Sequence, residues 1–131
     1  MKARPRSDDV EPGTALVFVK LAHTAVWAFF VACIVGVPAA ALRGRLRLAL
    51  ALSALVWAEI AVLAANDLRC PLTDVAMRYT VDRGDAFDIY LPGWLARNNK
   101  AIFGTVFLAG EVVLVWCWRR RRTAPSTISQ A

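Results

Sequence analysis

One histidine and three widely separated cysteines are the only imidazole and thiol groups this chain offers to metal, haem or redox chemistry. There is no Cys-x-x-Cys pair to form a dithiol centre and no Cys-x-x-Cys-His run to anchor haem covalently. A haem held by His23 would need Met77 or another residue as its second ligand. No cofactor and no metal are therefore expected. Serine chemistry is equally poorly supplied, because Ser53 sits inside an apolar run and neither a nucleophile elbow nor an ordered Ser, His and Asp set is present. The chain reads as non-enzymatic, and it shows no internal repeat.

Apolar surface is what it has in quantity. Hydrophobic residues make up 58% of the 131 residues and the mean hydropathy is +0.47, which would aggregate a small soluble chain. Leu16 to Leu42 is apolar apart from Lys20, His23 and Thr24; Leu48 to Ala65 is broken only by Ser53 and Glu59; Ala101 to Trp118 is broken only by Thr105 and Glu111. At about 1.5 Å per residue such runs cross a hydrocarbon core of about 30 Å. The pattern predicts an all-α integral membrane protein. Three transmembrane helices are expected over 15–42, 47–65 and 101–118, with a polar N-terminal segment 1–14, an outer loop 66–100 and a basic, disordered tail 119–131. Val37-Pro38-Ala39-Ala40-Ala41 also resembles the end of a signal peptide. Asp8, Asp9 and Glu11 make the preceding segment a poor leader, and the uncleaved helix is preferred.

Charge sets the expected orientation. Arg43-Gly44-Arg45-Leu46-Arg47 after the first helix and Arg119 to Arg122 after the third carry no acid, whereas the basic residues of the N-terminus and of 66–100 are mixed with eight Asp or Glu. Dense arginine without acid marks the cytoplasmic side. The prediction is a multi-pass protein of a bacterial inner membrane with the N-terminus outside and the C-terminus cytoplasmic. Arg119 to Arg122 then sit among anionic head groups of the bilayer, and nucleic acid is not an expected partner. Trp116 and Trp118, and Tyr90 and Trp94, are placed as interfacial aromatics.

The segment from Asn66 to Lys100 is too patterned for a plain loop. Thr73-Asp74 is expected to cap a short helix running toward Thr80, and Gly84-Asp85 to restart a second one ending at Pro92-Gly93. Both would be short interfacial helices.

Two of the membrane runs carry an ionisable residue in a costly place, His23 and Glu59. By helix rise His23 lies about 12 Å, and Glu59 about 9 Å, inside the outer boundary, so they share a level. Lys20 is three residues from His23 on one helical face, and Glu111 lies deeper on the third helix. Lys20, His23, Glu59 and Glu111 form the candidate polar cluster. It either holds the helices together or makes a site that moves protons or binds a ligand. Trp27 and Trp57 lie near the same depth and either line a pocket or pack. Ala54 and Ala58, Ala61 and Ala65, and Thr105 and Ala109 are spaced for close helix approach. Two function classes follow: a structural or assembly component of the membrane, or a transporter-like or redox accessory protein using His23, Glu59 and Glu111. Three helices enclose little volume, so transport would require a homo-oligomer, and a second membrane protein is the other partner to expect. Cys33, Cys70 and Cys117 fall at different depths, so no intrachain disulfide is expected.

The order of His23, the arginine-rich turn, Trp57 with Glu59, then Arg69-Cys70-Pro71-Leu72-Thr73 and Tyr90-Leu91-Pro92 resembles a family of small bacterial inner-membrane proteins, domain of unknown function 2784. The resemblance runs from about His23 to Trp118, and Cys70-Pro71-Leu72-Thr73 is its most specific motif. It implies a multi-pass membrane protein and carries no activity with it. A Glu often stands three positions past this tetrapeptide in the family; here Ala76 does, so a role needing that acid is in doubt. Beside the family reading, Pro71 stops the second helix, and the turn either seats the outer segment or lets Cys70 close over the polar cluster.

Overall fold

The computed structural model describes residues 12–124, and within them the chain is all-helical. The expectations for residues 1–11 of the N-terminal segment and residues 125–131 of the tail lie outside the described residues. Four helices follow in order: α1 (Pro12–Leu42), α2 (Leu46–Ala65), α3 (Pro71–Ala76) and α4 (Gly93–Thr123). Three of them, over Gly13–Leu42, Leu46–Ala65 and Gly93–Thr123, are long and apolar enough to cross a membrane, which is compatible with a multi-pass membrane protein. The described residues divide into two compact units: residues 12–29 with 60–99, and residues 30–59 with 100–124.

The second unit is packed by apolar and small side chains. Cys33, Ile34, Val37, Ala40 and Ala41 of α1, Ala49 and Val56 of α2, and Phe107 and Leu114 of α4 are its buried hydrophobic residues. Pro38 lies inside α1, has no N–H to offer the Ile34 carbonyl, and faces Gly110 of α4. A Cβ on Gly110 would meet Pro38 Cδ at 3.1 Å, so the glycine lets two backbones approach. The turn between α1 and α2 is a Schellman arrangement: Gly44 adopts φ +75°, its N–H donates to Ala41 O, and Arg45 N–H donates to Ala40 O. The small-residue pairs expected at close approach, Ala54 and Ala58 of this unit and Thr105 and Ala109 likewise, are instead exposed. Ser53 and Gly110 occupy the buried positions. Spacing defined a stripe in each helix but not which stripe faces the neighbour.

The first unit holds few buried side chains, namely Ala76, Asp88 and Ile89. Its α2 end turns through Asp67 and Leu68, both in the left-handed region at φ 53° and 60°, with Leu68 N–H donating to Leu63 O. Two differences from expectation stand out. The short helix begins at Pro71, with Cys70 in extended backbone at its N-cap, and stops at Ala76. Proline is preorganised for the first helical position, so the helix starts before Thr73 and frees that hydroxyl from capping. No helix forms after Gly84, because the backbones of Asp88 and Tyr90 bond to α1 side chains. Those tertiary bonds occupy groups that a helix would need.

The last helix also exceeds its expected 101–118 limits. It starts at Gly93, where Pro92 O accepts from Leu95 and Ala96, and it carries Arg97, Asn98, Asn99 and Lys100 as exposed or half-buried helical residues. Helix propagation past a nucleus is cheap for such residues. At the other end Arg119 to Arg122 stay helical to Thr123, as good helix formers beside the negative end of the helix dipole.

Candidate functional site

In the first unit, one face of α1 presents Lys20, His23, Thr24 and Trp27, residues three, four and seven apart. Lys20 Nζ lies 4.6 Å from the centre of the Tyr90 ring. His23 Nδ1 is 3.1 Å from the Asp88 carbonyl oxygen and 3.3 Å from Asp88 Oδ2. Both facing atoms are acceptors, so Nδ1 carries the proton and donates. Thr24 Oγ1 donates to Lys20 O at 2.7 Å and accepts from Tyr90 N–H at 3.0 Å. Trp27 Nε1 donates to Asn99 Oδ1 at 2.8 Å.

Asp88 is the hub of this set. It is 7% exposed, and its Oδ2 also accepts a hydrogen bond from Thr73 Oγ1. Burial pushes the Asp88 carboxyl upward, yet the hydrogen bonds from His23 and Thr73 outweigh it and hold the group below its ordinary value of 3.8. Cys70 is a half-buried free thiol at the N-cap of α3. Nearby, Asn66 Nδ2 donates to Arg69 O and to Asp74 Oδ2, which ties the end of α2 to α3. Leu72 is half-buried and Pro71 opens α3.

The second unit has its own polar contact. Ser53, 6% exposed on α2, donates to Glu111 Oε1 of α4 at 2.7 Å, and Trp57 Nε1 approaches Glu111 Oε2 at 3.4 Å. Trp57 also packs edge-on against Phe107, with centroids 5.5 Å apart. Glu59, half-buried on α2, makes no hydrogen bond or ion pair among the described residues.

Of the four residues expected to form one cluster, three have separate partners and Glu59 has none among the described residues. His23 engages Asp88 where Glu59 was expected, Lys20 engages the Tyr90 ring, and Glu111 engages Ser53 and Trp57. The physical reason is acidic competition: Asp88 reaches His23 from the 77–92 segment, and a buried carboxylate with two donors is the better acceptor. Asp88 carried a signal, as an acid between the apolar Phe87 and Ile89. Ser53 and Glu111 each stood out as polar residues in apolar runs, but nothing in the sequence paired them. Set against protein-family models, curated proteins and solved structures, the chain matches none.

The chemistry open to this arrangement is limited by satisfaction. Among the described residues no buried side-chain nitrogen or oxygen lacks a hydrogen-bond partner. Fully satisfied polar networks rigidify and specify packing.

Proposed function

We propose that this chain is a non-enzymatic structural or assembly component of a bacterial inner membrane, N-terminus outside and C-terminus cytoplasmic, related to the domain of unknown function 2784 family. The observation that carries the reading is that His23 and Thr73 are both bonded to Asp88, and that these bonds fasten α3 and the 77–92 segment to α1. Polar groups used this way hold a fold together. The many exposed large apolar residues, including Phe18, Phe29, Leu55, Leu108 and Val112, suit lipid contact. Glu59 supports an assembly role, since a half-buried carboxylate on a membrane-length helix calls for a partner that the described residues do not provide. That partner is a second copy or another membrane protein.

A second reading, a ligand-binding or redox accessory protein, draws on one observation: Asp88 orients the His23 imidazole in the unit that also holds the free Cys70 thiol. One experiment separates the two. Wild type and the His23→Ala, Asp88→Asn and Glu59→Gln variants are purified in mild detergent, and visible absorbance, bound metals and lipids, and oligomer size are recorded. The assembly reading expects no bound chromophore or metal, lower folded yield for His23→Ala and Asp88→Asn, and a smaller oligomer for Glu59→Gln. A stoichiometric bound species lost in both His23→Ala and Asp88→Asn, with yield intact, would replace it with the second reading.

A further inference from the structure

We infer that the α1–α2 turn and the end of α4 form a binding site for the phosphate group of an anionic phospholipid. The inference deepens the proposed membrane placement and rests on it. Arg43, Arg45, Arg47 and Arg119 to Arg122 come with no acidic residue between 43 and 58 or between 112 and 124, and none of the seven makes an ion pair among the described residues. So much one-sign charge calls for an external anion.

The arginines are arranged. Arg121 Nη2 donates to Gly44 O at 2.6 Å, which brings the end of α4 onto the turn. Gly44 favours this approach, because its φ of +75° is one that glycine adopts without strain and because a Cβ there would stand 2.9 Å from Arg121 Nη2 and displace the guanidinium. Arg120 lies 4.3 Å from the Trp116 ring centre and Arg122 3.9 Å from that of Trp118, so cation–π contacts hold both guanidinium groups against α4.

Between the turn and Arg121 opens a shallow cavity of about 420 Å³, lined by Gly44, Arg45, Arg47 and Arg121 and by the apolar Leu46 and Leu48. Each guanidinium has five N–H donors, and Arg121 directs only one nitrogen to Gly44, so the others are free to face an anion. Phosphate oxygens match that fork in pairs. The leucines add what a free phosphate would not use: an apolar wall for the glycerol and the first acyl carbons. Basic clefts between helices beside the arginine-rich side of a membrane protein suit anionic head groups. The combined charge and apolar wall commit the site to lipid.

The test reads lipid preference in purified protein reconstituted into phosphatidylcholine vesicles containing a titrated fraction of phosphatidylglycerol. Inorganic phosphate is added in a parallel arm. The wild type is expected to enrich phosphatidylglycerol in its retained lipid shell, with Arg45→Gln/Arg47→Gln weakening the enrichment at least tenfold while leaving the Arg121 contact intact. Arg43→Gln/Arg119→Gln, which removes the same charge from outside the cavity, should change it by less than twofold. Equal losses in the two double variants would overturn the site in favour of diffuse attraction. Displacement of the lipid by millimolar inorganic phosphate would overturn it in favour of a free-phosphate site. Reconstitution with no lipid preference would remove the site and leave the membrane reading standing, whereas failure to reconstitute at all would remove both.

Discussion

The two units of this chain are held by different physics. In the second, Val37, Ala40, Ala49, Phe107, Leu114 and Gly110 meet through shape, with Ser53 and Glu111 as the buried polar contact between α2 and α4. In the first, few side chains are buried and the contacts are made by tips: His23 to Asp88, Thr73 to Asp88, Thr24 to Tyr90, Trp27 to Asn99. The comparison teaches that an irregular segment that buries little apolar surface can still be fixed in place, provided its polar groups meet partners. Such a segment depends on a few residues. A packed helix trio spreads the same task over many.

That contrast can be broken from either side. The largest effect is expected from Asp88→Ala, which strips the partner from His23 and Thr73 and should cost about 3 kcal/mol. Hydrogen exchange should rise over residues 70–92 while amides of 30–59 stay protected. Acid should imitate the change. Because the Asp88 carboxyl is held below its ordinary value, it contributes stability above that value and loses it as pH falls through the folded one, so protection of 70–92 should drop below about pH 4 in wild type and not further in Asp88→Ala. Next, Gly110→Val drives a side chain into Pro38 and should cost about 2 kcal/mol, now in the second unit, as read from the thermal midpoint in detergent. Ser53→Ala removes the donor to Glu111 and should cost about 1 kcal/mol by the same measurement, since interhelical hydrogen bonds in membrane proteins are modest. The smallest effect has the opposite sign. Leu68→Gly relieves a left-handed backbone at an exposed position and should gain about 0.5 kcal/mol after the entropy of the added glycine is counted.

The long helices were legible because their signal is additive: eighteen or more apolar residues say the same thing whatever their neighbours do. The ends were less so. Pro92 and Gly93 read as a break, but the same Pro92 caps α4, and Arg119 to Arg122 continue it. The ionisable residues on the helices were visible as misfits, and His23 and Glu111 do lie in polar contacts. Their partners were not legible. His23 is 65 residues from Asp88 and Ser53 is 58 from Glu111, and such pairings depend on helix rotation and on the path of the 77–92 segment. The motif Cys70-Pro71-Leu72-Thr73 was conspicuous, yet that Thr73 serves Asp88 and leaves the cap to Cys70 follows only from where Pro71 starts the helix.

His23 and Asp88 act as one fastening between α1 and the 77–92 segment. A double-mutant cycle of His23→Ala and Asp88→Ala, read by unfolding of the purified protein in mild detergent at neutral pH, tests it most directly. A coupling of about 2 kcal/mol is predicted, with the double variant no worse than Asp88→Ala alone. Losses that simply add, with coupling near zero, would contradict it.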